Sequence, residues 1–558
     1  MNNGTLPATL LEKKVRKILS YKYILGAHHF TPIRSSTIHQ RVQTPRTGWL
    51  QRKIYNHATT LLKNQHALLP LQGLDTVRIA SVALGASADN TFQQYLKKYS
   101  VVQTYQAKNA EKFLEENELK VHDLLIVSLH HSEAADSASL QKLIGDTPAI
   151  VVFFTLPYDT DRYKQVIGTA GAVMLAYDNT PFAQMSAAQG IFGGIALGGR
   201  LPVSTTLFPA GSGLNTPKTR LGYASPEEVG IASEYFSGID PIAMEGIRQR
   251  AYPGCQILVA KDGVIIYEKE FGHYSYGHSA EVTGETLYDL ASVTKVAATL
   301  PAVMKLFDEQ KLALMDPIDK FVHETRRSDK AKIPLRSLLL HESGITSFIP
   351  YYTSAIDPDS YKGALFGKRS NTYHVRYAGA WGRTDYRFLP ALISPDSSAQ
   401  FPLPVAEKLY ASKQMHDVLL RDVIASPLQK NRKYTYSCLN FMLLKEAVEQ
   451  LTQTDLDSYV KAQFYRKLGA VTTTFQPLRY FSVDLISPTE DDPFFRKQHI
   501  RGYVHDEGAA LFGGISGNAG LFSTAGDLAK LGQMWLNGGV YGGERLLSEE
   551  TVKLFTTT

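Results

Sequence analysis

The sequence predicts an open α/β domain with a parallel sheet, followed by an α+β domain. Three observations predict it. Four short apolar, β-branched runs (77–85, 124–129, 149–156 and 172–177) alternate with helical patterns between residues 56 and 204. Residues 205–240 then shift to Pro, Gly, Ser and Thr, as linkers do. From residue 241 onward, two β-rich runs meeting at Asp262-Gly263 precede a mostly helical region.

The first 55 residues come before this pattern. Over 11–25, Leu11, Val15, Ile18 and Leu19 follow helical spacing, with Lys13, Lys14, Arg16 and Lys17 on other faces and Gly26 placed to end the helix. Residues 27–55 show no sustained period and read as a loop, with His28 and His29 exposed rather than metal-binding. Residues 1–53 carry ten Lys and Arg against the single acid Glu12, although the whole chain is only +6. Clustered cations suit phosphate, but the helical period favours an ordinary packed helix over a nucleic-acid arm.

In 56–204 the continuous apolar runs suit strands buried on both faces, and the intervening segments such as TFQQYLKKY, AEKFLEENEL and SASLQKLIG suit the covering helices. No G-x-G-x-x-G follows a strand and no P-loop is present, so nucleotide binding has no motif to rest on. Beyond the Asp262-Gly263 turn, amphipathic segments fall near 295–312, 416–424, 440–451, 455–467 and 526–537.

Composition narrows the function classes. With 44% hydrophobic and 20% charged residues, the chain reads as a globular protein rather than a disordered or collagen-like one. Its apolar runs are too short to span a membrane, and the start lacks the layout of a secretory signal. Two cysteines, Cys255 and Cys438, exclude a disulfide scaffold and a cysteine-built zinc or iron–sulfur site. No metal or cofactor is expected.

The chemical signal lies in YDLASVTKVAATLPAVMKLFDEQKLALMDPI. Val296, Leu300, Val303 and Phe307 define one buried helical face, Asp289 is placed to cap it, and Pro301 should kink it. Ser292 sits in the first turn, where free N–H groups favour developing negative charge. Lys295 lies three positions on, on the same face, where it can take the Ser292 proton and so activate the hydroxyl. Ser-x-x-Lys alone is weak, since about two should occur by chance in a chain this long. A second element, KYTYSCLNFMLLKEAVEQL, sets Tyr436 before another amphipathic helix, where a phenol could share proton transfer with the lysine.

Together the hairpin, Ser292-Val293-Thr294-Lys295, the LLLHESGI segment, Tyr436-Ser437 and GGISGNAGLFSTAGDLAKL resemble the serine β-lactamase-like superfamily, in its class C branch with penicillin-binding proteins and related esterases. The resemblance covers about 222–558. It implies that Ser292 is the acylated nucleophile, Lys295 its general base, Tyr436 the second-motif tyrosine, and the Ser292 N–H half of an oxyanion hole. It reads His341 and Asn518 as structural. Two departures stand out: Cys438 replaces the Asn or Asp of the second motif, and no Lys-Thr-Gly or His-Thr-Gly follows GLFSTAGDLAKL before Thr558.

Residues 59–71 and the α/β region ending GGRLPVS resemble the C-terminal α/β sandwich of glycoside hydrolase family 3, of the β-N-acetylglucosaminidase type. The combined resemblance implies an α/β sandwich domain with a parallel sheet followed by an α+β β-lactamase/penicillin-binding-protein-like domain, truncated at both ends. Residues 1–55 would be the end of a barrel domain and its connector, 56–204 the family 3 C-terminal domain, 205–240 a linker and 241–558 the serine hydrolase domain. The expected function is acyl hydrolysis of a peptidoglycan-related amide or ester, with no nucleic-acid partner. Two alternatives stay open: part of a β-N-acetylhexosaminidase whose catalytic barrel lies upstream, or a non-catalytic docking or glycan-binding fragment. For a full-length parent the expected location is the periplasm or cell envelope.

Overall fold

The computed structural model describes residues 7–29, 35–117, 122–277, 280–377, 379–429 and 433–557. The chain forms two compact units, Met1–Gln51 and Arg52–Thr558. In the first, α1 (Ala8–Ile24) buries none of its residues. The loop expected over 27–55 is corrected: the described part contains α2 (Ser35–Val42) and the start of α3 (Pro45–Ala58), while 30–34 lie outside the described residues. The start signal is Thr44-Pro45. Thr44 Oγ1 accepts from the Thr47 N–H at 3.2 Å, and Pro45 takes the first helical position, where its missing N–H costs nothing.

The second unit opens with a six-stranded sheet. Its strands are β1 (Thr60–Asn64), β2 (Ile79–Leu84), β3 (Val102–Ala107), β4 (Leu124–Leu129), β5 (Ala149–Phe153) and β6 (Ala172–Leu175), in the order β1-β6-β5-β4-β2-β3. β2 to β6 pair in parallel, and β1 pairs antiparallel with β6. Alternate side chains feed two cores. Ile126, Ile150, Val152 and Met174 pack under α4 (Thr91–Lys97) and α8 (Pro181–Phe192). Val127, Leu129, Val151 and Phe153 pack under α5 (Ala110–Glu116), α6 (Ser137–Ile144) and α7 (Lys164–Thr169). β3 escaped the sequence reading because it is a polar edge strand, with only Val102 fully buried.

Past the Pro- and Gly-rich stretch, β7 (Gly222–Tyr223) leads to α9 (Ile239–Arg248) and the hairpin of β8 (Gly254–Lys261) and β9 (Val264–Gly272). Asp262 (φ 52°) and Gly263 (φ 73°) both adopt the left-handed conformation that a two-residue hairpin turn requires. β9 lies between β7 and β8. The core under α4 and α8 continues into this region through Tyr223 and Ile265. The Tyr99 hydroxyl donates to the Leu221 carbonyl at 2.9 Å, and Arg220 Nη1 bridges the Leu71 and Phe192 carbonyls at 2.6 and 2.8 Å. The chain is therefore fastened to the α/β region at Arg220 and Leu221.

Next come β10 (Tyr288–Asp289), α10 (Leu300–Asp308) and α11 (Leu335–Leu339), then a small antiparallel sheet of β11 (Phe366–Gly367), β12 (Val375–Tyr377) and β13 (Ala380–Gly382). Helices α12 (Gln414–Ala425) and α13 (Cys438–Thr452) lie beyond it in the chain. β10 pairs with the strand Leu521–Ser523, bringing the Ser292 turn beside residues 513–520.

Candidate active site

Backbone geometry presents Ser292. Asp289 does not cap the helix as expected; its carboxylate accepts from the Ala291 N–H at 2.8 Å and the His505 N–H at 2.7 Å, folding a turn ahead of the helix. Burial pushes this carboxyl up, and the two N–H bonds oppose the rise. Ala291 takes φ 44°, a strained value for a residue with a Cβ, directly before Ser292. The Ser292 N–H takes no part in the turn bonds, which run from Val293, Thr294 and Lys295 to Leu290, Ala291 and Ser292 carbonyls. Ser292 is exposed, whereas Lys295 is 3% exposed beneath it.

Residues 295–299 form a π-helical turn, with the Leu300 N–H donating to the Lys295 carbonyl. The extra residue rotates the helix, so the expected buried face is corrected in part: Val296 is 49% exposed, while Val303 is buried as expected, together with Ala297, Ala298 and Ala302. The same turn absorbs Pro301. Proline has no N–H for the Ala297 carbonyl four residues back, and that carbonyl instead accepts from the buried Tyr465 hydroxyl at 2.8 Å. Thr299 Oγ1 adds a bond to the Gly517 carbonyl at 2.8 Å.

Lys295 Nζ is the hub. It lies 2.9 Å from Ser292 Oγ, 3.0 Å from the Asn518 carbonyl oxygen and 3.5 Å from Cys438 Sγ. It also sits 5.0 Å from the centroid of the Tyr436 ring. The three candidate residues Ser292, Lys295 and Tyr436 are thus brought together from the π-turn and the segment before α13. Tyr436 presents its ring face to the ammonium and is 41% exposed. Cys438 heads α13, its N–H donating to the Ser347 carbonyl at 3.2 Å. Burial raises its thiol pKa, and the Lys295 charge opposes that rise.

His341 holds this second segment in place. Its Nδ1 accepts from the Ser437 N–H at 3.1 Å, its carbonyl accepts from the Thr435 N–H at 2.8 Å, and its ring lies 4.5 Å from that of Tyr436. Burial, with the Lys295 charge adding to it, lowers the His341 pKa and favours the neutral ring that this accepting nitrogen requires. The Ser437 hydroxyl donates to the Thr346 carbonyl at 2.7 Å, and that of Ser343 to Asn440 Oδ1 at 2.7 Å.

The site residue missing from the sequence reading is a main-chain atom, the Asn518 carbonyl; its side chain accepts from Ser516 instead, at 2.7 Å. A carbonyl has no side-chain signature, so only the neighbouring glycines signalled it. A Cβ on Gly517 would meet the Phe441 carbonyl oxygen at 2.0 Å, and one on Gly520 (φ 111°) the Gly514 carbonyl oxygen at 2.4 Å. Among the described residues no group of three or more His, Cys, Asp or Glu could hold a metal ion, and no helix is long and apolar enough to cross a membrane.

A candidate D-alanyl-D-alanine carboxypeptidase of Escherichia coli O157:H7 is 34% identical over 361 residues, 60% of this chain and 71% of that protein. A protein of the same name from Salmonella paratyphi A is 30% identical over the same length and coverage. The octameric penicillin-binding protein homologue from Pyrococcus abyssi shares 21% identity at a TM-score of 0.39, covering 57% of this chain and 59% of its own. Residues 239–558, the region that contains Ser292, Lys295, Tyr436 and the Asn518 loop, match the β-lactamase family model. The chain belongs to the β-lactamase family and is a hydrolase of that fold.

Proposed function

We propose that this chain is a serine acyl hydrolase acting on a peptidoglycan-related amide or ester, of the kind a D-alanyl-D-alanine carboxypeptidase cleaves. The observation that carries the reading is the 2.9 Å contact between Lys295 Nζ and the exposed Ser292 Oγ. In the first step Ser292 Oγ attacks the substrate carbonyl carbon and its proton passes to Lys295 Nζ, which takes it as the neutral amine. The developing oxyanion lies at the helix start, within reach of the Ser292 N–H. As the intermediate collapses, the leaving amine or alcohol takes a proton from the Lys295–Tyr436 pair. Water then attacks the acyl carbon as it loses a proton to the same pair, the acyl–Oγ bond breaks to release the acid, and the pair returns that proton to Ser292 Oγ. Buried Lys295 is held by the Asn518 carbonyl and Cys438 Sγ, so it is pre-aligned on Ser292.

A fluorescent penicillin or fluorophosphonate tests this directly. Purified protein should label stoichiometrically, and Ser292→Ala should reduce labelling at least a thousandfold, on the order found when an activated nucleophile is removed. Equal labelling of the two proteins would remove Ser292 from the mechanism.

For residues 56–204 we infer the C-terminal domain of a family 3 glycoside hydrolase, with the linker at 205–240 and the serine hydrolase domain at 241–558. The supporting observation is the mostly parallel six-stranded sheet with helices on both faces. The expected partner is a glycosidase barrel. Mixing this chain with a separately produced family 3 barrel should give a complex on size-exclusion chromatography, and independent elution would count against the assignment.

A further inference from the structure

The sheet β11–β13 is not used by the proposed acyl chemistry. Its cross-strand rows alternate strictly. Phe366, Gly382 and Val375 form one row, and Gly367, Trp381 and Arg376 the next. The first row faces the core: Phe366 lies 5.0 Å from the Phe494 ring, and a Cβ on Gly382 would meet that ring at 2.8 Å. The second row therefore faces outward. There Tyr373 lies over Gly367, within 2.6 Å of where a Cβ would stand, and Arg369 and Arg376 sit 4.8 and 5.9 Å from the Trp381 ring centroid.

The charge on this face is unbalanced. Residues 361–387 contain six Lys and Arg and one acid, Asp385. That acid, itself exposed, pairs with the buried Arg383, at 2.6 Å to each oxygen. Lys368, Arg369 and Arg376 are exposed, and none lies within ion-pair distance of a carboxylate among the described residues: the ion pair of this stretch is Arg383–Asp385. A merely solvated basic face has no need of flat aromatic rings, yet one of the chain's three tryptophans stands here.

We propose that this outward face binds an anionic glycan strand. A pyranose ring offers a C–H face that stacks on Trp381 and Tyr373, and its acid groups meet Arg369 and Arg376. Two cations suit a sparsely charged sugar polymer. Nucleic acid would need the broader track that supports roughly six to ten phosphate contacts. The sheet packs through Phe366 on Tyr352, which comes closely after Ser347, the residue whose carbonyl holds the start of α13. Bound glycan would thus be tethered on the same region that carries the second motif.

Affinity electrophoresis in native gels containing polygalacturonate, neutral dextran or poly-dT tests the proposal. The wild-type chain should be retarded by polygalacturonate, unaffected by dextran and held less by poly-dT. Arg369→Glu with Arg376→Glu should weaken retardation at least tenfold, and Trp381→Phe should retain more binding than Trp381→Ala. The charge reversals lie at exposed positions, and melting curves check that they fold; Arg376→Gln provides a milder second variant. Ser292→Ala should bind as wild type does, which separates this surface from the acyl chemistry. Absence of wild-type retardation, equal retardation of the charge-reversed protein, or preference for poly-dT each overturns the proposal.

Discussion

In β4 and β5 every side chain is buried and only Ser128 is polar, whereas the buried groups around Ser292 include Lys295, His341, Ser437, Asn440 and Asn518. The open sheet rests on apolar burial, which has no preferred direction and tolerates small shifts. The site rests on polar groups whose value depends on each partner standing within hydrogen-bond distance. Losses in the sheet should therefore appear as stability, and losses at the site as rate.

Lys295→Met gives the largest expected effect. It keeps the side-chain volume but removes the base, so the second-order rate of penicillin labelling should fall by about 10² to 10⁴ while the melting temperature changes far less. A drop in melting temperature without loss of labelling would make Lys295 structural. Ile126→Ala makes the opposite test. Ile126 is fully buried in the sheet, and its truncation should cost about 2–5 kcal/mol, read as a lower thermal midpoint, with labelling per folded molecule unchanged. If labelling falls with it, the two regions are coupled through the core they share.

Tyr465→Phe sharpens the comparison, because it removes one hydroxyl from a buried apolar setting. The Ala297 carbonyl would be left without a donor, at about 1–3 kcal/mol, and the π-turn that carries Lys295 should loosen. A stability loss with a matching loss of labelling rate is expected; an unchanged midpoint would show that water replaces the hydroxyl.

The smallest effect is one of pH, at the cluster joining α12 to α13. His416 Nε2 and Lys445 Nζ each lie 3.1 Å from Glu446 Oε1, with Asp417 beside His416 and Glu449 2.7 Å from Lys445. The bond to Glu446 raises the His416 pKa above 6.5, against burial. Its contribution is full below pH 6.5 and lost as pH rises through the raised value. Burial acts against ionising Glu446, yet Lys445 and His416 hold it at about 2; its contribution is present above 4.5 and lost as pH falls toward 2. His416→Gln should flatten the alkaline side of the thermal-midpoint profile and weaken the acid side less, because Lys445 still holds the Glu446 carboxylate. An unchanged alkaline side would exclude His416 from the linkage.

The same contrast explains what was legible in the residues alone. β4 matches its apolar run at 124–129, and β2, β5 and β6 lie within theirs, because a strand buried on both faces must be apolar at every position. β3 and the helices at 35–58 were hidden. Edge polarity, and capping by Thr44-Pro45, leave no sustained period. In the site, the order Ser292, Lys295, Tyr436 was readable as motifs, and the Asp262-Gly263 turn as a dipeptide. The π-turn, the exposure of Val296 and the capture of the Ala297 carbonyl by Tyr465 were not, since each depends on a partner distant in sequence.

By itself the sequence determined the four doubly buried strands, the hairpin turn and the residue types available for acyl chemistry, because apolar runs and left-handed turns are local requirements of the backbone. Tertiary structure decided which atom of Asn518 meets Lys295 and which face of the 295–308 helix is buried. Those outcomes rest on contacts made across tens to hundreds of residues, where only the closed fold sets the distances.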